Sequence, residues 1–108
     1  MKPFLRHQAV ETDLARYGRH IAADNPQAAA NFVTAAENAV RLIAMNPGLG
    51  RLRRWRLARL ARVRTRPLER PYSAWLVIYR ETTEAVEIIR VIHGSQDLRA
   101  RLQEPPEA

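Results

Sequence analysis

The chain has 108 residues, no cysteine and a formal net charge of +7, and all but one of its 18 basic residues are arginine, the exception being Lys2. The length suits one domain with a modest core. The absence of cysteine excludes disulfides and thiolate chemistry and fits a reducing cytoplasm. No apolar run approaches the roughly 20 residues of a membrane span, and the N-terminus MKPFLRH lacks the apolar centre of a signal peptide, so the expected location is cytoplasmic, with no membrane partner. The basic balance favours an anionic partner, whether nucleic acid, a phosphate-bearing complex or an acidic protein, and does not choose among them.

In chain order, Lys2 to His7 is expected to be a first strand, with Pro3 near its start where a missing N–H is tolerated. From Ala9 to Ala23, Val10, Leu14, Tyr17 and Ile21 fall at spacings of four, three and four, the signature of one apolar helical face. Gly18 within that helix costs about 1 kcal/mol relative to Ala and points to a close helix approach. Asp24-Asn25-Pro26 stops this helix and starts another, because Asn is a good N-cap and Pro a good first helical residue. The second helix runs from Pro26 to about Ala44, with Ala29, Phe32, Val33, Ala36, Ala39, Val40 and Ile43 as its apolar stripe. So short a break implies an antiparallel helical hairpin, and Asn46-Pro47-Gly48 closes it.

Gly50 to Arg66 carries eight arginines, at 51, 53, 54, 56, 59, 62, 64 and 66, interleaved with Leu52, Trp55, Leu57, Leu60 and Val63. This segment is expected to be irregular and to lead into a strand near Val63 to Leu68, with Arg62, Arg64 and Arg66 projecting from one face. Pro67 calls for a strand edge or a bulge. After a turn at Glu69 to Ser73, Ala74 to Tyr79 is apolar on both sides and reads as a central strand covered on both faces. Arg80 to Ala85 is a hairpin connector. Val86 to His93 alternates, with Val86, Ile88, Arg90 and Ile92 on one face and Glu87, Ile89, Val91 and His93 on the other. Gly94 ends it. A short polar helix follows, and residues 103–108 form a frayed tail. The order β-α-α-β-β-β defines an α+β fold in one domain: a helical hairpin packed on a small antiparallel sheet, with a short C-terminal helix.

Few residues carry obvious chemistry. His93 reads as a sheet-face histidine bonded to Asp97 or to backbone in preference to a general base, since no second histidine or metal-spaced carboxylate accompanies it. His7 and His20 fit no ligand spacing, so no metal and no cofactor are expected. Asp13 reads as a helix-surface partner of Arg16 or Tyr17. Arg90, amid apolar strand residues, is either paired with an acidic side chain such as Asp97 or exposed for a partner, because a buried unpaired arginine is too costly. Trp55 reads as an anchor pinning its loop to the core, in preference to a base-stacking platform.

Several segments together resemble the RelE/ParE superfamily of toxins from bacterial type II toxin–antitoxin systems, and more closely its ParE, plasmid-stabilisation branch. They are Ala9 with Asp13-Leu14, Ile21-Ala22, Asp24-Asn25-Pro26, Ala28-Ala29, Asn46-Pro47-Gly48 with Gly50, Arg66-Pro67-Leu68, Leu76 to Arg80, and Glu87 to Gly94 with Asp97-Leu98. Each is weak alone. Their order and spacing, above all the series YR…EIIRVIHG…DL, cover nearly the whole chain.

The resemblance implies a toxin neutralised by a cognate antitoxin, whose acidic and apolar residues complement an arginine-rich surface, and which meets operator DNA only through the antitoxin complex. RelE-like members are ribosome-dependent mRNA endonucleases, and ParE-like members inhibit DNA gyrase. RelE-like toxins place basic residues on the central strands, an arginine just after the last strand and often a tyrosine six residues later, to stabilise charge and move protons at the scissile phosphate. Here Ser95 and Arg101 hold the two late positions, and Trp75 or Leu76 stands where a strand arginine is expected. The expectation is therefore a non-catalytic gyrase inhibitor. A ribosome-dependent endonuclease and a degenerate toxin that binds only its antitoxin are the alternatives. The residues expected to meet target or antitoxin are Arg62, Arg64, Arg66, Arg80, Arg90, His93, Asp97 and Arg99.

Overall fold

The computed structural model describes residues 2–53, 55, 58–95 and 102. The elements run β1 (Phe4–Arg6), α1 (Gln8–Asp24), α2 (Pro26–Met45), β2 (Arg51–Leu52), β3 (Arg64–Pro67), β4 (Trp75–Glu81) and β5 (Val86–His93), with 3-10 turns at Pro47–Leu49 and Ala58–Leu60. This is the expected α+β order, except that β2 is an additional strand. The C-terminal helix and the tail expected after Gly94 lie outside the described residues apart from Leu102, which is helical and buried.

One sheet holds all five strands in the order β1-β5-β4-β3-β2. The strand with apolar residues on both sides, β4, is central, as its pattern requires. The sheet is mixed and not wholly antiparallel: β1 runs parallel to β5, with Phe4 opposite Val86 and Arg6 opposite Ile88. Two helices join β1 to the rest of the chain, so no tight turn imposes the reversal that a β-hairpin requires. Between β4 and β5 the Thr82 hydroxyl accepts the amides of Glu84 and Ala85 at 3.3 and 3.1 Å and so shapes the connector.

Asn25 works in both directions. Its backbone N–H donates to the Ile21 carbonyl at 2.9 Å, closing α1, and its side-chain oxygen accepts the Ala28 amide at 3.1 Å, opening α2. Pro26 occupies the first turn, where its missing N–H costs nothing. Val10 and Leu14 of α1 are buried, with Tyr17 and Ile21 packed against the same cluster. In α2 the buried stripe is Phe32, Ala35, Ala36, Ala39, Val40 and Ile43. Val33, expected within it, is 39% exposed, and Ala35 takes the inward place. Gly18 is not a close-approach site, for a Cβ added there would meet nothing within 4 Å.

The sheet separates two apolar clusters. On the helix side, Val77 and Tyr79 of β4 and Val86, Ile88 and Val91 of β5 meet Val10, Leu14, Phe32 and Val40. On the other side Ile78 and Ile92 meet Leu60, Val63 and Leu102. Strict alternation along β5 is thereby corrected. Tyr79 pairs with Ile88 and Ile78 with Arg90, leaving Ile89 as an extra residue. This bulge shifts the pleat by one position, so Val86, Ile88 and Val91 share one side. Five rings, of Tyr17, Phe32, Tyr72, Trp75 and His93, tie both helices to β4 and β5, with Trp75 at 5.1 Å from Phe32 and 4.8 Å from His93.

The arginine-rich segment contributes β2 and the start of β3 at the far edge of the sheet. β3 pairs with β4 along its whole length, but β2 pairs only with Thr65 and Arg64. Pro67 therefore lies where β3 has become the edge and needs no ladder donor. Arg62 is not part of the strand face: it sits in the preceding turn with φ at 66°.

Candidate partner-binding surfaces

The second half of α2 and the end of β3 do not close on each other. Between them runs a groove of about 550 Å³, floored by Ala35, Ala39 and Leu68 and rimmed by Arg41, Arg66 and Arg70. Leu42 and Met45 also line it and are 50% and 66% exposed. The Asn38 side chain donates to Glu69 at 3.2 Å, joining α2 to the turn after β3. An apolar floor under a cationic rim suits an amphipathic segment bearing carboxylates.

Of the residues expected to meet target or antitoxin, Arg66 lines this groove, and Arg62 is exposed at the turn. Arg64 shares the face of Arg66, two residues along β3, but its guanidinium donates to the Gly50 carbonyl at 2.8 Å and braces the start of β2. Arg80 donates to Glu87 at 3.3 Å across the β4–β5 ladder. Arg90 makes a two-pronged ion pair with Asp13, both bonds at 2.8 Å. His93, half-buried against the Trp75 ring, accepts the Ser95 amide on Nδ1 at 3.1 Å, with Ser95 Oγ 2.7 Å from the same nitrogen. Among the described residues the ring is bonded to Ser95, in part to its backbone. Asp97 and Arg99 lie outside the described residues. Of the six described residues, Arg62 and Arg66 face outward at the β2–β3 end, whereas Arg64, Arg80 and Arg90 hold elements together.

Asp13 is the residue that sequence reasoning placed wrongly. It is not a surface partner of Arg16 or Tyr17 but is 2% exposed. Besides Arg90, it accepts the Val91 amide at 3.0 Å, and so satisfies a strand donor next to the bulge. Only an acidic residue three positions after Val10 and one before Leu14, on the edge of the buried face, hinted at this. In the sequence Tyr79 likewise shows only an apolar strand position. Its buried hydroxyl accepts the Gly50 amide and donates to the Pro47 carbonyl, both at 2.6 Å, and burial pushes the phenol above its ordinary pKa. A Cβ at Gly50 would fall 2.5 Å from that oxygen and 2.6 Å from Cε1, so glycine is required there by contact.

At the opposite edge, His7 Nε2 lies 2.8 Å from Glu87 Oε1. The His7 hydrogen bond, more than burial opposes it, holds the Glu87 carboxyl below its ordinary value, with Arg80 adding to the effect. Among the described residues no group of three or more His, Asp or Glu is arranged to hold a metal ion, and no helix is long and apolar enough to cross a membrane.

A family model described as "ParE toxin of type II toxin-antitoxin system, parDE" matches residues 5–98. A search of curated proteins returned no match. Among solved structures, the chain is similar to one from "Chromosomal ParDE TA system from P. aeruginosa". The TM-score is 0.69 and the identity 22%, over 86% of this chain and 96% of that one, a likeness of fold.

Proposed function

Because the chain belongs to the ParE toxin family of type II toxin–antitoxin systems, we propose that it inhibits DNA gyrase by surface contact and is held inactive by a cognate antitoxin. The observation that carries this reading is the internal engagement of the sheet's polar side chains. Arg90 is bound by a buried carboxylate, Arg80 by Glu87, and His93 by Ser95 and Trp75. Groups fixed in this way organise the scaffold and are poorly placed to stabilise charge or move protons at a scissile phosphate. Outward chemistry is concentrated instead at the β2–β3 end. There the groove offers an antitoxin an apolar floor and three arginines, and sequence-specific recognition of operator DNA comes only through the antitoxin complex.

The test is a titration of the purified protein into gyrase supercoiling and cleavage assays. Loss of supercoiling or accumulation of linear DNA is expected, reversed by the antitoxin encoded in the neighbouring reading frame. Cleavage of ribosome-bound mRNA with gyrase untouched would replace this reading with an endonuclease. Normal growth on induction, with neither effect, would leave antitoxin binding as the surviving function.

A further inference from the structure

Charge is segregated across this molecule. From residue 38 to residue 68 there are nine arginines and no carboxylate. The ion pairs found among the described residues all lie elsewhere: Lys2 with Glu81, Arg6 with Glu11 and Glu37, His7 and Arg80 with Glu87, and Arg90 with Asp13. These pairs neutralise charge on the β1–β5 side, whereas the segment that carries β2 and β3 holds no carboxylate.

That edge has two sides of different chemistry. Cross-strand partners project to the same side of a sheet. Leu52 pairs with Arg64, and Arg64 with Tyr79, so both lie on the helix side with the groove and its exposed Leu42 and Met45. Arg51 pairs with Thr65, and Thr65 with Ile78, which puts Arg51 on the outer side. Arg53 shares it, because its Nε donates to Thr65 Oγ1 at 3.0 Å. Arg62, in the turn between Leu60 and Val63 of the outer cluster, adds an exposed side chain from a left-handed backbone position that glycine would occupy more easily. Of the exposed large apolar side chains among the described residues, Leu42 and Met45 line the groove and Leu52 shares its side, Leu5 stands at the opposite edge in β1, and Leu49, two residues before Arg51, is 36% exposed.

We propose that the outer side of the β2 edge, carried by Arg51, Arg53 and Arg62, binds the phosphate backbone of duplex nucleic acid. A protein partner buries apolar anchors and presents charges of both signs in register, and the groove side is suited to that. A cluster of one sign suits a polyanion of the opposite sign, which needs charge density and not a pocket. Guanidinium forks add paired hydrogen bonds to phosphate oxygens. The inference does not rest on the gyrase reading and needs no enzyme to test it.

The experiment is fluorescence anisotropy of a labelled mixed-sequence duplex titrated with the whole chain between about 50 and 200 mM salt. Binding is expected to weaken steeply with salt and to be insensitive to sequence. Arg51→Glu with Arg62→Glu is expected to lower affinity at least tenfold and to flatten the salt slope by about two units. The milder Arg51→Gln with Arg62→Gln should act in the same direction, and thermal melts confirm that each variant is folded. Arg16→Glu with Arg19→Glu, an equal charge change on exposed α1 positions, should keep the wild-type slope. Absence of binding at the lowest salt overturns the proposal, as does equal weakening by both charge reversals, which reduces the effect to net charge. Loss of polyglutamate binding in the edge variant, with duplex binding intact, overturns it in favour of an acidic protein. Failure of any of these leaves the supercoiling assay as an independent judge of gyrase inhibition.

Discussion

Asp13 and Arg90 show how one ion pair fixes a local irregularity. A bulge leaves strand donors without ladder partners, and Asp13 accepts the Val91 amide while clamping the Arg90 guanidinium. With Asp13 at 3% and Arg90 at 16% side-chain exposure, removing the carboxylate strands a desolvated cation and a backbone amide. Asp13→Ala is expected to cost about 3–5 kcal/mol, read by chemical denaturation; a cost below about 1 kcal/mol would place the pair among surface bridges. Glu87 gives a pH dependence of known sign. Its folded-state pKa lies below the ordinary 4.5, so its contribution to stability is present above pH 4.5 and is lost as pH falls through the lowered folded value. The thermal midpoint should therefore drop on acidification below that range, and drop less in Glu87→Gln; parallel acid profiles for the two proteins would assign the loss to other carboxylates. The hydroxyl of Tyr79 is a different kind of constraint, because the Gly50 contact involves ring carbons as well as oxygen. Removing the hydroxyl alone would not make room for a side chain at Gly50.

At the scale of elements, stability is adjustable where packing leaves space. Gly18 is inside α1, and an added Cβ meets nothing. Gly18→Ala should therefore raise stability by up to about 1 kcal/mol through backbone entropy alone; a lower melting temperature would reveal a packing role for this glycine. The helices were legible in the sequence because their signals are local: the spacing of Val10, Leu14, Tyr17 and Ile21, the Asn25-Pro26 cap and the Asn46-Pro47 stop each act within a turn or two. The direction of β1, the bulge at Ile89 and the role of Asp13 were not, because each is decided by a partner dozens of residues away. Alternation along β5 reads perfectly on paper, and only the pairing of Ile78 with Arg90 shows that one residue is extra. The two-residue β2 carries no pattern of its own and exists because β3 offers it an edge.

Across the whole molecule, the arginine run was visible in the sequence as a cationic surface, but its division into scaffold and surface was not. Spacing does not distinguish Arg64, bonded to the Gly50 carbonyl, from Arg66, which lines the groove. That division predicts separable functions. If the groove receives the antitoxin, then Leu42→Glu with Met45→Glu sets two carboxylates where an acidic, apolar segment must lie, exchanging apolar contact for like-charge repulsion. Both side chains are exposed in the free chain, so folding should be little affected. The expected outcome is a toxin that still inhibits gyrase supercoiling but needs at least tenfold more antitoxin for rescue, which corresponds to about 1.4 kcal/mol of lost binding. If rescue is unchanged, the antitoxin docks elsewhere. If gyrase inhibition disappears while antitoxin binding survives, the groove belongs to the target, and the antitoxin must act by a surface outside it.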